Sequence, residues 1–187
     1  MRLFIAINIA PPVRAELAAL IDRWKATEPR ARWVRAEGIH ITLKFLGETH
    51  EEKVPEIRSA LSTIRSSDPV EIHVRGLGFF PNAHRPRVLW AGVEASSNLA
   101  GLARTVEGSV ERLGFVVESR PFQPHLTLAR LPEPGKWDAL VRSAQEINDL
   151  EFGSFCESEF HLIQSFLKPS GAEYKSLASF PFVKETA

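Results

Sequence analysis

Two short motifs with the same residue types carry the clearest chemical potential in this sequence. His40 precedes Thr42 in HITL, and His125 precedes Thr127 in HLTL. In a strand, side chains two residues apart lie on one face, so each motif presents an imidazole beside a hydroxyl. Because histidine titrates near neutrality, one imidazole can accept a proton while the other donates one.

In-line displacement at a phosphorus atom suits such a pair. One imidazole takes the proton of the attacking oxygen, and the other protonates the leaving oxygen on the opposite side. The threonine hydroxyls can donate hydrogen bonds to the non-bridging oxygens as negative charge builds there. Side chains supply every proton in this scheme, so we expect neither a metal ion nor a cofactor. No acidic cluster or HxxxH spacing accompanies the motif histidines.

The two motifs stand 85 residues apart, and a shift of the chain by 85 also superposes the predicted elements around them. A period this long indicates two lobes and not a solenoid. The sequence therefore predicts one domain, 1–187, of two pseudo-symmetric α+β lobes, with a repeat of about 1–85 and 86–170. The matching segments are strand 2–9 on 87–94, helix 12–27 on 97–112, helix 51–65 on 136–150 and strand 70–79 on 155–164.

The end of the chain is predicted to form two strands, about 155–166 and 173–180, joined by a KPSG turn. The second of these strands lies where a third copy of the repeat would begin. A twofold relation between the lobes can bring both His-x-Thr strands to one shared cleft. Because a lone His-x-Thr is ordinarily polar strand surface, the duplication is what favours a site.

Composition narrows the class of protein. Lys plus Arg and Asp plus Glu each total 23, so the net charge is zero, and 44% of residues are hydrophobic. These values are typical of a globular protein and argue against one that grips long nucleic acid through many phosphates. Cys156 is the single cysteine, which excludes an intramolecular disulfide. No signal peptide or apolar run of about 20 residues is present, which predicts a soluble cytoplasmic protein without membrane contact.

The segments HITLKFLGE and PHLTLAR, with RLFIAI at the start and PRVLW between them, resemble the 2H phosphoesterase superfamily. Within it they are similar to the bacterial and archaeal RNA 2′,3′-cyclic phosphodiesterases, long labelled 2′-5′ RNA ligases. The resemblance runs from Arg2 to the GAEY segment and the final strand. It implies a bilobal, internally duplicated α+β fold in which two antiparallel sheets line a central cleft with helices outside. The implied activity opens a 2′,3′-cyclic phosphate on an RNA end or nucleotide to a 2′-phosphomonoester, without metal.

The same resemblance implies roles for the motif residues. His40 corresponds to the proton donor for the leaving 3′ oxygen, and His125 corresponds to the proton acceptor that activates water. Thr42 and Thr127 correspond to phosphate-binding hydroxyls. Arg130 corresponds to an arginine that contacts substrate, although simple alternation puts it on the face opposite His125. Either a bulge or the end of the strand turns it inward, or it is a surface charge.

Neighbouring residues give weaker predictions. Lys44 has the parity of the cleft face and is a second candidate for substrate binding, with a solvated rim position as the alternative. Phe45 has the parity of the apolar face and is predicted to lie in the core. Trp90 is also predicted to be core, whereas Phe79 and Phe80 remain candidates for stacking on a base.

Three functions remain open from the sequence. The first is hydrolysis of a 2′,3′-cyclic phosphate. The second is a 2′-5′ RNA ligase that joins a cyclic-phosphate end to a 5′-hydroxyl, since the same acid and base serve a ribose hydroxyl in place of water. The third is a non-catalytic module that binds RNA ends. Because the lobes supply their own symmetry, we expect a monomer in each case.

Overall fold

Strands and helices follow one another in an order that repeats once along the chain. The computed structural model describes residues 1–66, 68–168 and 171–182. Short 3-10 turns occupy Ala36–Gly38 and Glu51–Lys53. The elements are β1 (Arg2–Asn8), α1 (Pro11–Thr27), β2 (Arg32–Trp33), β3 (His40–Glu48), α2 (Val54–Leu61), β4 (Val70–Phe80), β5 (Val88–Ala95), α3 (Asn98–Glu111), β6 (His125–Arg130), α4 (Asp138–Glu146), β7 (Glu151–Glu157), β8 (Glu159–Lys168) and β9 (Gly171–Pro181).

The helices form where apolar residues recur at helical spacing. Pro11 and Pro12 open α1, since proline lacks only an amide hydrogen that a first turn leaves unpaired. The buried residues of α1 are Val13, Leu17, Leu20, Ile21 and Trp24, and those of α3 include Leu99, Leu102, Val106 and Val110. Each helix thus buries one stripe against the sheet.

All strands belong to one antiparallel sheet of order β7-β4-β5-β6-β3-β1-β8-β9, with β2 paired to β6. At its centre β3 and β6 pair through Ile41 and Leu126, two residues 85 positions apart. A pseudo-twofold axis therefore passes through this pair. The α+β fold with two antiparallel halves is confirmed, and the two expected sheets are joined into one through β3 and β6.

Each half of the sheet contains strands from both sequence repeats. β4 belongs to the first repeat but pairs with β5, and β8 belongs to the second repeat but pairs with β1. The strand predicted at about 155–166 is consequently two strands, β7 and β8, which separate at Ser158. β7 pairs with β4 in one half while β8 pairs with β1 in the other. Pro169 and Ser170 of the predicted KPSG turn lie outside the described residues.

The two faces of the sheet differ in what covers them. All four helices pack their buried side chains against one face, in a core that includes Ile5, Ile41 and Leu126. On the opposite face the described residues bury a small apolar cluster of Phe4, Ala6 and Ile163, with Tyr174 packed against it, and His161 beside Ala6. This second face is therefore the open one, and it is the face on which the motif side chains project. None of the helices in the described ranges is long and apolar enough to cross a membrane.

Candidate active site

The four motif residues meet at the junction of the two halves. Since Ile41 and Leu126 are direct partners in an antiparallel pair, His40 lies opposite Thr127 and Thr42 lies opposite His125. The two imidazoles are close enough for His125 to lower the pKa of His40. Two acid-base groups and two hydroxyls thus form a compact quartet on the open face, which we call the cleft.

Each motif strand contains a bulge directly after its threonine. Ile5 is the partner of Lys44 and Ala6 the partner of Thr42, so Leu43 is left without a partner. In β6 the same happens at Leu128, since the register steps from Ala129 to Thr127. The bulges stand 85 residues apart, and each reverses the alternation of the two side chains that follow it, Lys44 and Phe45 in β3 and Ala129 and Arg130 in β6.

The second bulge turns Arg130 toward the cleft. Ala129 and Leu128 are both fully buried, while Arg130 is exposed. Its charge acts on Tyr174 across the open face, where it partly offsets the burial that raises the pKa of this phenol. The sequence left two positions open for Arg130, on the cleft side or at the outer surface, and the bulge places it on the cleft side.

The first bulge overturns the predicted positions of Lys44 and Phe45. Lys44 is only 7% exposed and lies on the helix side, where its ammonium donates to the Glu107 carboxylate and to the Val116 carbonyl at 2.7 Å. Phe45 instead lies on the cleft side and is 63% exposed. Both predictions were wrong for the same reason, because strict alternation does not anticipate an extra residue in the strand.

His40 is enclosed by aromatic rings. Phe4 stacks on its ring with centroids 4.5 Å apart, and Tyr174 approaches edge-on at 5.5 Å. Burial lowers the pKa of His40 from 6.5 to about 4, with a smaller contribution from His125, while a hydrogen bond to the Gly38 carbonyl acts in the opposite direction. His40 is therefore a neutral imidazole at neutral pH in the free protein.

His125 has a different setting. One ring, that of Phe80, meets it edge-on at 4.9 Å. Its Nδ1 lies 2.7 Å from the Gln123 carbonyl oxygen. A carbonyl only accepts, so Nδ1 carries the hydrogen and Nε2 of the neutral ring keeps its lone pair. Gln123 and Gly38 stand 85 residues apart, so each histidine is oriented by the carbonyl two residues before it.

The threonine hydroxyls are available to a ligand. Within residues 1–66, 68–168 and 171–182, neither Thr42 nor Thr127 has a hydrogen-bond partner for its Oγ1. Both side chains are half-buried on the cleft face. Two free donors that flank two histidines can hold the non-bridging oxygens of a phosphate.

The remaining aromatic predictions divide between core and cleft. Phe79 is buried in the main core, while Phe80 contacts both Trp90 and His125. Trp90 was predicted to lie in the core, but it is half-buried beside Thr127 on the cleft side. Its ring packs over Gly78, where any Cβ would collide with it. In the part of the chain that the structure describes, no group of three or more His, Cys, Asp or Glu side chains is placed to hold a metal ion.

Sequence reasoning missed Phe4 and Tyr174, the rings around His40. Phe4 belongs to an almost wholly apolar strand, so its sequence context does not separate the cleft side from the core side. Tyr174 lies in β9, which reaches the site only because β8 and β9 follow β1 in the sheet. A close approach at Gly38, where a Cβ would lie 2.5 Å from the Tyr174 ring, makes room for that ring.

Comparisons with known proteins agree with this arrangement. The family profile described as "LigT like Phosphoesterase" matches residues 7–90 and 92–174, one segment for each repeat. The RNA 2′,3′-cyclic phosphodiesterase of Methanothermobacter thermautotrophicus is 34% identical over 96% of this chain and 98% of its own. The protein of the same name from Aeropyrum pernix is 41% identical over 86% of this chain and 92% of its own.

Solved structures give the same result for the fold. The crystal structure of a protein from Thermus thermophilus superposes with a TM-score of 0.80 at 32% identity, over the full length of both chains. The E. coli LigT structure in complex with 3′-AMP superposes with a TM-score of 0.74 at 26% identity, over 98% of each chain. The likeness therefore extends over both halves and the cleft between them.

Proposed function

The chain belongs to the LigT-like phosphoesterase family, and from this premise we propose that it hydrolyses the 2′,3′-cyclic phosphate of an RNA end or nucleotide to a 2′-phosphomonoester. The observation that carries the proposal is the pairing of His40-x-Thr42 with His125-x-Thr127 across Ile41 and Leu126 on the open face. Relatives named RNA 2′,3′-cyclic phosphodiesterase, at 34–41% identity over most of the chain, support the choice of substrate.

The proposed reaction is one displacement at phosphorus. Nε2 of His125 takes a proton from water, and the water oxygen forms a bond to phosphorus. The bond between phosphorus and the 3′ oxygen breaks, and His40 gives its proton to that oxygen. The phosphate remains on the 2′ oxygen. Thr42 and Thr127 hold the non-bridging oxygens while their negative charge grows.

His40 must gain a proton before it can act as the acid. With a pKa of about 4, it is neutral in the free protein near pH 7. The negative charge of a bound cyclic phosphate stabilises the imidazolium form and raises this pKa. Substrate binding thus creates the acid, and the same burial that keeps the free ring neutral strengthens its attraction to the phosphate.

The test is incubation with a 2′,3′-cyclic nucleotide and with a short RNA that ends in a cyclic phosphate, in the presence of EDTA. Chromatography against 2′- and 3′-phosphate standards identifies the product. We expect the 2′-phosphate alone, and no turnover by His125→Ala. Folded protein that leaves both substrates intact, or that releases the 3′-phosphate, would contradict the proposal.

A second arm of this experiment separates hydrolysis from ligation. An RNA with a 5′-hydroxyl is added to the RNA that ends in a cyclic phosphate, and the products are sized on a denaturing gel. We expect the cyclic end to be hydrolysed and not joined, because the open cleft admits water freely. A joined 2′-5′ product as the main species would favour the ligase, and tight binding without turnover would favour the non-catalytic module.

A further inference from the structure

Two arginines face each other across strands at the edge of the cleft. β2 pairs with β6 through Arg32 opposite Arg130 and Trp33 opposite Ala129. Directly paired residues of antiparallel strands project to the same side of the sheet. Ala129 is buried and Trp33 packs against the main core. Arg32 and Arg130 therefore both project to the open face.

Neither of these two guanidinium groups has a counter-ion in the part of the chain that the structure describes. Within the described ranges neither Arg32 nor Arg130 has a hydrogen bond or an ion pair. Arg87 next to them differs, since its guanidinium lies 2.8 Å from the Glu133 carboxylate. Like charges directly opposite each other destabilise a strand pair. A bound anion between the two arginines would remove this cost.

Other positively charged side chains lie near the same edge of the cleft. Arg2 and Arg130 both act on Tyr174, the ring that packs edge-on against His40. The Glu173 carboxylate beside Tyr174 binds Lys168 at 2.6 Å and Arg35 at 4.0 Å. Arg2 and Arg130 thus add positive charge at this edge of the cleft, although the whole chain has no net charge.

The short distance between the two arginines and the quartet indicates which anion would bind between the arginines. Arg130 follows Thr127 by three residues on one strand, so their backbones are at most about 10 Å apart. A planar guanidinium binds phosphate oxygens in pairs. A phosphate held by the quartet would therefore have a neighbouring phosphate of the same RNA strand within reach of both arginines.

We propose that Arg32 and Arg130 bind the phosphodiester that links the terminal nucleotide to the preceding one. This inference rests on the proposed function and narrows its substrate class to RNA ends. A cyclic mononucleotide carries no such phosphodiester and leaves the arginine pair unfilled. The enzyme should therefore select oligonucleotides through charge at one site, which is consistent with its lack of overall basic excess.

Three substrates test the inference. They are a cyclic mononucleotide, a dinucleotide ending in a cyclic phosphate, and the same dinucleotide with a neutral methylphosphonate linkage. We expect kcat/KM for the natural dinucleotide to exceed that for each of the other two by about tenfold, as a charge-assisted contact would give. Equal values for all three substrates would overturn the inference and leave the proposed function intact. Absence of turnover with all three would overturn the proposed function itself.

Variants locate the effect. Arg32→Ala should lower kcat/KM for the natural dinucleotide about tenfold more than for the mononucleotide. It should also reduce the slope of log kcat/KM against log salt concentration for the dinucleotide by about 0.7. Arg104→Ala removes the same charge from an exposed position on α3, on the helix side, and should change neither value. An equal loss on both substrates, or no loss on either, would overturn the assignment of Arg32.

Discussion

The two halves of the cleft share a backbone design and differ in their side chains. In each half a carbonyl orients the histidine two residues later, a threonine follows, and a bulge comes directly after it. Beyond the bulges the halves diverge: Lys44 and Phe45 in the first stand where Ala129 and Arg130 stand in the second. The two halves therefore share one backbone geometry and present different side chains beyond the bulges.

The two histidines differ in their aromatic surroundings. His40 is packed between Phe4 and Tyr174, whereas a single ring among the described residues, that of Phe80, meets the ring of His125. Two His-x-Thr motifs therefore lie in unlike surroundings, and at His40 the burial lowers the pKa of the imidazole. In the mechanism we propose, His40 is the acid that the bound phosphate charges, and His125 is the base.

Removal of either histidine should have the largest effect. His40→Ala and His125→Ala should each lower kcat for a cyclic phosphate substrate by about 10²–10⁴-fold, the usual contribution of a general acid or base. His50→Ala, at an exposed position outside the cleft, is the matched control and should retain full activity. Steady-state kinetics with circular dichroism would check this. Retained activity in His125→Ala would show that His125 is not the general base.

The burial of His40 should make the stability of the protein depend on pH. Folding lowers its pKa from 6.5 to about 4, so the unfolded chain binds a proton more readily in that range. The free energy of unfolding should be full above pH 6.5 and should fall by up to about 3 kcal/mol as pH falls to 4.

Urea unfolding of the parent protein and of His40→Gln across this range measures the effect. The variant lacks the titrating ring, so the difference between the two proteins should shrink as the pH falls. Other groups, including His161, titrate in both proteins and cancel. A difference that does not vary with pH would mean that His40 is not held neutral by the fold.

The fold and the quartet followed from the sequence to a large extent. Periodicity predicted the four helices, and the 85-residue repeat predicted the pairing of the two motifs. The reversal at Leu43 and Leu128 was not predictable, because a bulge leaves no reliable signal in an apolar strand. Tyr174 was missed for a different reason: its approach to His40 depends on strand exchange between the repeats, which is long-range topology.

The contrast between Arg130 and Phe45 predicts unequal effects on substrate binding. Arg130→Ala should lower kcat/KM by about 10–100-fold, because a charged hydrogen bond to phosphate is lost. Phe45→Ala should cost less, since this side chain is 63% exposed and offers no charge to the phosphate. Kinetics with an RNA that ends in a cyclic phosphate would check both. Equal losses would mean that the two halves do not divide their tasks as described.

The smallest expected effect is on stability, at the ion pair of Lys44 and Glu107 on the helix side of the sheet. Glu107→Gln removes the carboxylate that pairs with the buried Lys44 ammonium. The variant should lose about 1–2 kcal/mol of stability, less than a fully buried pair because Glu107 is partly exposed. Turnover should remain at the parent level, since neither group reaches the cleft. Thermal unfolding and kinetics would check the two statements separately, and a loss of turnover without a loss of stability would contradict the placement of Lys44.

An NMR titration of the His40 ring tests the central claim most directly. Labelled protein is titrated with and without a nucleoside 2′-phosphate, and His40→Gln identifies the resonance. The account predicts a pKa of about 4 in the free protein and a clear rise when the phosphate binds. A free-protein pKa at the ordinary value of 6.5, with no response to the nucleotide, would contradict it.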